Sequence, residues 1–569
     1  DADLLVYEDA GRLFDQKRFF HWDLEFPEVF IDLETASWKD NSGFDVVIGN
    51  PPYEELSQDA LGRIIDEKSF IENVDLYKQA RTGRVNLYRL FIAQAINKTQ
   101  QKGNHGFIVP MSLLGDKFTF QLRKKMLAEN TFLYIEAFPQ KDNPKERVFI
   151  DAKLPTCLYI LTKQKINHPI FVRTHPGKDI LENSPTYKTS AVEISEFDAD
   201  NLTIPSVGSN EWNIAKKIAT NPNLCKLGNI ATPMSGEIVF NKAFKPYLTN
   251  NPEHTLVLRG GHVQRYQLID DPKQGTPTYI NTQLWLSKSR GGIAALAHEQ
   301  PRIIYQESAA LDNWRRIIAT KLPAENICGH KICYFVNIQY NDLAFLAIFN
   351  SNLIEWRFRL ISVTNSLSAY QISSLPLPIF KFTTPPEKRQ EYLQNLINLY
   401  QQYQNNQNAD ILLTHIILHL SSSKELVIVC LYPLLIQIGL HQLGSLLLQN
   451  FHHIHQQPSQ ADVIHDFLAY LAEQMIELNQ QKQTETKGFI KWLERFIGTD
   501  IDNLTNKSKV QNYLGDYYKQ KQGDNHLTLD ELIDILNKNK KKIKIDITTR
   551  KEQEKLEKEY ESSLNILLP

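Results

Sequence analysis

The feature that most constrains the fold of this chain is a short apolar run, Phe44 to Gly49, that ends at Asn50-Pro51-Pro52-Tyr53. Valine and isoleucine favour extended strands, and the proline at position 51 disfavours helical geometry at Asn50. Both prolines fix their own φ angles and lack a backbone N–H group. The run therefore predicts a β-strand that ends at Asn50, at the carboxyl edge of an α/β sheet, where such folds bind ligands.

Strand-like and helix-like stretches alternate through about the first 165 residues, which is typical of an α/β sheet. Apolar residues recur at spacings of three and four over Val85 to Asn97, which predicts an amphipathic helix. A second helix is predicted over about 118–128. The further strand candidates are Gly106 to Val109, Phe132 to Ile135 and Thr156 to Leu161.

The chain of 569 residues is long enough for roughly two to four domains. Its patterns predict an α/β segment over 1–165, a connecting segment rich in Pro, Asn and Asp over 166–225, a β-rich domain over 226–380 and a helical region over 385–569. Short apolar runs separated by turn residues indicate the β-rich domain, and long amphipathic stretches indicate the helical one.

The Asn50–Tyr53 segment has the groups needed to bind the exocyclic amine of a nucleobase. Such a nitrogen is a weak nucleophile, because its lone pair is delocalised into the ring. Two rigidly held acceptors that take hydrogen bonds from both amine protons would localise the lone pair. The Asn50 side-chain oxygen and the Pro51 carbonyl could be these acceptors, and Tyr53 offers a flat face to an extruded base. The segment could instead be only a turn, but the preceding strand favours the binding site.

Other motifs accompany this segment. They are Phe20-His21-Trp22-Asp23-Leu24-Glu25-Phe26-Pro27-Glu28-Val29-Phe30, Asn86-Leu87-Tyr88, Gly106-Phe107-Ile108-Val109-Pro110, Arg147-Val148-Phe149 and Thr156-Cys157. Together they resemble the adenine-specific DNA methylases of type II, particularly type IIG, restriction–modification systems. Later motifs resemble the TaqI-type target-recognition domain and the helical tail of the same group: Arg259-Gly260, Tyr305-Gln306-Glu307, Asn350-Ser351-Asn352-Leu353, Asn365, Leu375-Pro376-Leu377-Pro378, Ile501 to Lys507 and Tyr513 to Tyr517.

The resemblance implies a site-specific enzyme that transfers a methyl group from S-adenosyl-L-methionine to adenine N6 in double-stranded DNA, within a restriction–modification system. Asn50 and the Pro51 carbonyl would bind the N6 amine, with Pro52 completing the catalytic segment. Tyr53 would stack on the flipped adenine, and Phe149 would pack on its other face. The implied fold is a partial Rossmann-like methyltransferase sheet, followed by a β-rich target-recognition domain and a helical C-terminal region.

Six polar residues of the β-rich domain are candidates for contacts with DNA. They are Arg259, His262, Gln264, Arg265, Arg315 and Arg316. Arginine and glutamine can pair bidentately with guanine and adenine edges. Each of the six could instead be a surface or structural residue.

The sequence does not supply the family's cofactor-binding element. These enzymes bind S-adenosylmethionine through a Gly-rich strand-to-helix loop that precedes the Asn-Pro-Pro-Tyr strand, with an acidic residue for the ribose. Only 49 residues precede Asn50, and the glycine pairs Gly260-Gly261 and Gly291-Gly292 do not fit this pattern. We therefore expect an N-terminally truncated chain without the cofactor half. The alternative is a non-catalytic DNA-binding fragment of a fused restriction–modification enzyme, with a nuclease or companion segment elsewhere.

Composition limits the remaining possibilities. The net charge of −2 neither supports nor excludes a nucleic-acid partner. Five scattered cysteines do not predict a disulfide framework, and Cys328-Gly-His330-Lys-Ile-Cys333 has too few ligands for a zinc site, so a cytoplasmic protein without a metal is expected. The apolar run Leu426 to Leu440 is too short to span a bilayer. The lysines of Lys538 to Lys544 predict a solvated helix end, with phosphate contact as the alternative.

Overall fold

The computed structural model describes residues 20–65, 67–141, 143–270, 276–288, 297–311, 313–406, 461–515 and 526–565, together with residues 8, 11, 12 and 14. These residues form two compact units. Unit 1 comprises Asp1–Thr220 with Leu360–Val363, and unit 2 comprises Asn221–Arg359 with Thr364–Pro569.

Unit 1 is built on a sheet of six strands. They are β1 (Phe44–Gly49), β2 (Thr99–Pro110), β3 (Thr131–Phe138), β4 (Thr156–Thr162), β5 (Ile170–Thr174) and β6 (Thr186–Thr189). The spatial order is β1-β2-β4-β3-β5-β6. The β1–β2 and β3–β5 pairs are parallel, whereas β4 runs antiparallel to both of its neighbours and β6 is antiparallel to β5. The predicted α/β fold is confirmed, and β1 has the predicted bounds.

Among the described residues of unit 1, four helices have seven residues or more. They are α1 (Leu87–Lys98), α2 (Phe120–Glu129), α3 (Ala191–Phe197) and α4 (Ser209–Ala219). Shorter helices cover Trp22–Glu25, Pro27–Phe30, Gln58–Leu61, Lys68–Asn73 and Ser112–Gly115. The apolar face of α1 buries Leu90 and Ala93 against Ile71 and Ala80, with Leu56 packed beside them. This packing fixes the segment that follows β1 against the N-terminal end of α1.

The segment 166–225 differs from the predicted connecting structure. It contains β5 and β6, which extend the sheet, and then α3 and α4. Ile170 and Val172 are buried in β5, and Tyr187 is buried in β6. The apolar runs are short and lie among polar and proline residues, so the sequence pattern alone did not reveal them.

Unit 2 begins with several small sheets. Its strands are β7 (Leu224–Lys226), β8 (Thr232–Ser235), β9 (Leu248–Thr249), β10 (Thr255–Leu258), β11 (Val263–Gln264), β12 (Gln267–Leu268), β13 (Tyr279–Ile280), β14 (Arg302–Gln306), β15 (Ala319–Leu322), β16 (Ile327–Cys328), β17 (Ile332–Val336) and β18 (Pro376–Pro378). Two four-stranded sheets have the orders β8-β17-β14-β15 and β9-β13-β10-β16. Strands β11 and β12 form a hairpin, and β18 pairs with β7.

Helices follow and accompany these sheets. They are α5 (Thr282–Lys288), α6 (Asp342–Phe349), α7 (Asn352–Ile361), α8 (Ala369–Ser373), α9 (Pro386–Asn406), α10 (Ala461–Ile497), α11 (Lys507–Gln511), α12 (Leu529–Lys538) and α13 (Arg550–Asn565). The last helices share a core that includes Leu493, Tyr513, Leu536 and Leu556. None of the helices in the described part of the chain is long and apolar enough to cross a membrane. The run Leu426 to Leu440 lies outside the described residues.

Candidate functional site

The Asn50–Tyr53 segment leaves the sheet at the carboxyl end of β1, as the sequence predicts. Asn50 and Pro52 are exposed, Pro51 is buried and Tyr53 is half-buried. The buried proline anchors the segment, and its neighbours leave the Asn50 amide in contact with solvent. An acceptor side chain is thus presented at the sheet edge on a backbone that two prolines stiffen.

Tyr53 is held by its hydroxyl group, which donates a 2.9 Å hydrogen bond to the Ile108 carbonyl. Ile108 lies one residue past Phe107, the last residue of β2 that pairs with β1. Burial, and secondarily the nearby Cys157 thiol, raise the pKa of Tyr53 to about 12. The phenol therefore stays protonated, and remains a donor, throughout the physiological pH range.

Two aromatic rings contact Tyr53 in edge-on geometry. The Tyr88 ring centroid lies 6.4 Å from that of Tyr53 at an interplanar angle of 86°, and the Phe149 centroid lies 6.0 Å away at 71°. Edge-to-face pairs at these separations are favourable, by about 0.5–1.5 kcal/mol beyond area burial. The structure thus brings Phe149 and Tyr53 together, although they are far apart in sequence. The roles of both residues toward a base stay predictions.

Asn86 is a residue of this site whose role sequence reasoning missed. Its side-chain Nδ2 donates to the Tyr53 carbonyl at 3.3 Å, and the Leu87 amide donates to the Glu54 carbonyl at 2.9 Å. Asn86 is the N-cap residue of α1, yet its side chain makes no capping hydrogen bond. Asparagine at this position commonly caps the helix. Here the amide instead fixes the backbone that carries Tyr53, and its occurrence in the Asn86-Leu87-Tyr88 motif was the only sequence signal.

The first turn of α1 is itself held rigidly. Tyr88 is fully buried, and its hydroxyl shares a 2.8 Å hydrogen bond with the Ser112 hydroxyl. The buried Arg89 guanidinium donates to the carbonyl groups of Thr82 at 2.8 Å and Phe118 at 2.6 Å. A cation that satisfies carbonyls of two loops stabilises the support on which Asn86 and Tyr53 rest.

The outer edge of β1 is open among the described residues, where β1 is a terminal strand of the sheet. Val46 is 59% exposed and Ile48 is 79% exposed. Apolar side chains on an unpaired edge are unusual, because such an edge readily pairs with another strand. This edge adjoins the Asn50 amide directly.

The described residues do not fit S-adenosylmethionine. Gly260–His262 form a single 3-10 turn after β10 and open no α-helix, and Gly291-Gly292 lie outside the described residues. The described part of the chain therefore offers no glycine-rich loop between a strand and an α-helix.

The predicted DNA contacts lie in unit 2, and the first three surround β11. The Arg259 guanidinium donates to the Thr278 hydroxyl at 2.7 Å and lies 4.9 Å from the Phe240 ring centroid. His262 is buried, and its Nδ1 accepts a hydrogen bond from the Arg259 amide at 3.0 Å. Gln264 lies in β11 and is half-buried. Arg259 and His262 thus have protein partners.

The other three candidates are buried arginines. Arg265 and Arg315 both donate to the Asn350 carbonyl, at 3.0 and 2.8 Å. Arg316 donates to the Thr364 carbonyl at 2.6 Å, and burial lowers its pKa to about 10. The structure gives these guanidinium groups internal partners, and their contact with DNA stays a prediction. Sequence reasoning left a structural role open for each residue but could not choose between the alternatives, because arginine at a protein surface and arginine around buried carbonyls look the same in a sequence.

Comparison with known proteins finds a family that the first segment of the chain resembles. Residues 5–143 match the Eco57I restriction-modification methylase family. The chain therefore resembles the type II restriction–modification methyltransferases, as its motifs indicate. It is 26% identical over 183 residues to the type II restriction enzyme and methyltransferase RM.Eco57I of Escherichia coli. The aligned region covers 31% of this chain and 16% of that protein.

Other relatives match shorter or more divergent parts. Over 112 residues the chain is 26% identical to the type II methyltransferase M.BsuBI of Bacillus subtilis, covering 20% of each protein. The solved structure of the type IIL restriction-modification enzyme MmeI in complex with DNA aligns with 76% of this chain and 57% of that one, at 10% identity and a TM-score of 0.39. The chain spans only 16% and 10% of the first two curated relatives.

Proposed function

We propose that this chain binds double-stranded DNA and forms the target-adenine half of a site-specific adenine N6 methyltransferase of a restriction–modification system. One observation carries this proposal. Just after the end of β1, the Asn50 amide is exposed and, three residues later, the Tyr53 side chain is held by its hydrogen bond to the Ile108 carbonyl. With DNA as its substrate, the enzyme is expected in the cytoplasm.

The proposed roles follow from the chemistry of an aromatic amine. The Asn50 side-chain oxygen and the Pro51 carbonyl accept hydrogen bonds from the two N6 protons and direct the nitrogen lone pair toward the methyl donor. Tyr53 stacks on the extruded adenine, and Phe149 limits the space beside it. Because these groups are positioned before the base arrives, they cost little reorganisation during the reaction, and removing one such polar group typically slows an enzyme about 100- to 1000-fold.

We further propose that the open edge of β1 pairs with a companion strand. The position of β1 at the end of the described sheet supports this, since an unpaired strand edge readily pairs with another strand. A strand in that position would end beside Asn50, because neighbouring parallel strands of an α/β sheet end at the same edge. The cofactor-binding loop that the described residues lack would then follow that companion strand, next to the amine-binding segment. S-adenosylmethionine bound there would supply the methyl group.

A second candidate function is DNA binding without methyl transfer, as a fragment of a fused restriction–modification enzyme. The absence of a fitting cofactor loop from the described residues favours it for the isolated chain. The two candidates differ in one measurable property: only the first predicts a methylated product when the companion segment is present.

Two experiments test the proposal. Titration of radiolabelled S-adenosylmethionine into the isolated chain should show no binding, and clear binding would contradict a missing cofactor half. The product of the whole coding sequence that contains this chain should form N6-methyladenine in unmethylated bacteriophage DNA, measured by mass spectrometry of the nucleosides. Asn50→Ala should abolish the product. The matched control is Asn73→Ala, because Asn73 is also exposed but bonds only Ser69 of its own helix. Methylcytosine as the only product would exclude adenine as the target.

A further inference from the structure

One long loop of unit 2 presents a large aromatic side chain to solvent. The loop joins β14 to β15, and its described residues are 307–311 and 313–318. Trp314 in this loop is 52% exposed. Single exposed apolar residues are common on protein surfaces, so a role for Trp314 depends on how the loop that carries it is held.

Arg359 holds the loop backbone from the side of α7. Its guanidinium donates to the carbonyl groups of Leu311 at 3.3 Å, Asn313 at 2.6 Å and Trp314 at 3.0 Å. Three carbonyls of one loop are thus bound by one planar cation, whose donors have a fixed geometry. The Trp314 backbone cannot move without breaking charge-assisted hydrogen bonds.

Glu355, one turn earlier on α7, holds the other end of the same loop. Its carboxylate accepts hydrogen bonds from the Arg316 amide at 3.0 Å and the Ile317 amide at 2.8 Å, and it pairs with Arg359 at 2.6 Å. The Asn365 side chain accepts from the Leu311 amide at 3.1 Å. The backbone is therefore bound on both sides of Trp314.

In this arrangement, buried charged groups hold the backbone of a surface loop in one conformation. Glu355 is buried and Arg316 is fully buried, and burying a charge is expensive unless it is paired and hydrogen-bonded. Burial of apolar side chains would stabilise the fold at lower cost. A loop kept in one conformation loses little entropy on binding, which favours its use for recognition.

We propose that Trp314 contacts DNA by stacking on a base or inserting at a base step of the bound duplex. This inference rests on the proposed function. Every base has a π-face, and an indole ring on a rigid support can stack on it regardless of sequence. Apolar side chains of DNA-bending proteins also act as wedges between base steps. The Arg359 side chain, 34% exposed, holds the Trp314 backbone carbonyl and so keeps this support in place.

The test uses the chain itself and needs no cofactor. A pool of duplexes with a randomised centre is enriched by binding to the wild-type chain, and affinity for the enriched pool is measured by fluorescence anisotropy at several salt concentrations. Trp314→Ala should weaken binding about 5- to 100-fold, as loss of one stacked base predicts. Trp314→Phe should restore most of the affinity. The slope of log affinity against log salt should stay the same in both variants, because no phosphate contact is lost.

Phe382→Ala is the matched control, since Phe382 is another half-exposed aromatic residue of unit 2, and its variant should bind like the wild type. Thermal unfolding checks that each variant is folded. Wild-type affinity in Trp314→Ala would overturn the inference while leaving the proposed function intact. An equal loss of DNA affinity in Phe382→Ala would also overturn the inference. So would a Trp314→Ala variant that loses a dimeric state but keeps its DNA affinity. Failure of the wild type to bind any duplex would instead refute the proposed function.

Discussion

Replacing Asn86 by aspartate separates two roles that an asparagine at the start of a helix can have. A capping role needs an acceptor oxygen, which aspartate retains. A role in positioning Tyr53 needs the Nδ2 donor, which aspartate lacks. In this structure the side chain holds the Tyr53 carbonyl and makes no capping bond, so the two roles predict opposite outcomes.

The expected magnitudes follow from the contacts. Loss of the 3.3 Å hydrogen bond should cost about 0.5–1 kcal/mol of folding free energy, the lower part of the usual range, because the bond is long and only partly buried. A carboxylate near the N-terminus of α1 should stabilise the folded state by about 0.3–1 kcal/mol through its interaction with the helix dipole. The free energy of unfolding should therefore change by less than about 1 kcal/mol. Methyl transfer should fall about 10- to 100-fold, because a displacement of about 1 Å near reacting atoms has an effect of that order.

Both quantities are measured on the product of the whole coding sequence that contains this chain. Urea unfolding reports stability, and incorporation of labelled methyl groups into unmethylated DNA reports transfer. Thr528→Asp, a substitution of comparable capping chemistry at the N-cap of α12, is the control and should change neither. An Asn86→Asp enzyme with the wild-type transfer rate would refute the positioning role. A loss of stability above about 2 kcal/mol would show that Asn86 serves the fold instead.

Four further predictions concern single residues of unit 1. Asn50→Asp should retain part of the methyl transfer in the same assay, because a carboxylate still accepts hydrogen bonds, whereas Asn50→Ala should lose about 100- to 1000-fold. Tyr53→Phe should lower the urea-derived stability by about 1 kcal/mol, since the hydroxyl bond to the Ile108 carbonyl is lost; an unchanged value would contradict that bond. Burial lowers the pKa of His105 to about 4. The unfolded chain therefore binds the proton first, and stability should fall by roughly 3 kcal/mol as pH drops from about 6.5 to about 4, a dependence that His105→Gln should flatten. Ile48→Lys should reduce self-association of the isolated chain in sedimentation experiments if the β1 edge is exposed as described.

The strands of unit 1 differ in how far the sequence could predict them. Strand β1 has the predicted bounds because a proline pair ends it and its apolar residues are contiguous. Strand β2 starts seven residues earlier than the predicted Gly106, since Thr99 to His105 are largely polar and are extended by pairing with β1 and β4. Strand β5 was missed altogether, because its partner β3 lies far away in sequence. Pairing between distant segments, rather than local pattern, decides these strands.

The site shows the same division between local and distant information. The place of Asn50 to Tyr53 directly after β1 could be predicted because the proline pair ends the strand, and the role of these residues toward an aromatic amine stays a prediction. The family resemblance implied that Phe149 and Tyr53 lie on opposite faces of a base but predicted no contact between their rings, and Asn86 was recognised as part of a motif without a role. The Asn86 side chain donates to the backbone carbonyl of Tyr53. Every residue has a backbone carbonyl, so the sequence does not indicate which one accepts this hydrogen bond.

The arginines of unit 2 bear on how the proposed complex with DNA would form. Arg265, Arg315 and Arg316 are chemically suited to bases, yet each donates to a backbone carbonyl, which is buried at Asn350 and half-buried at Thr364. Burial lowers the pKa of Arg316 only to about 10, so it remains charged at neutral pH. Removal of Arg265 or Arg315 would take a donor from the buried Asn350 carbonyl. Substituting these arginines should therefore reduce stability before it alters specificity. Discrimination between DNA sequences would then depend on other side chains of the surfaces that the arginines hold in place.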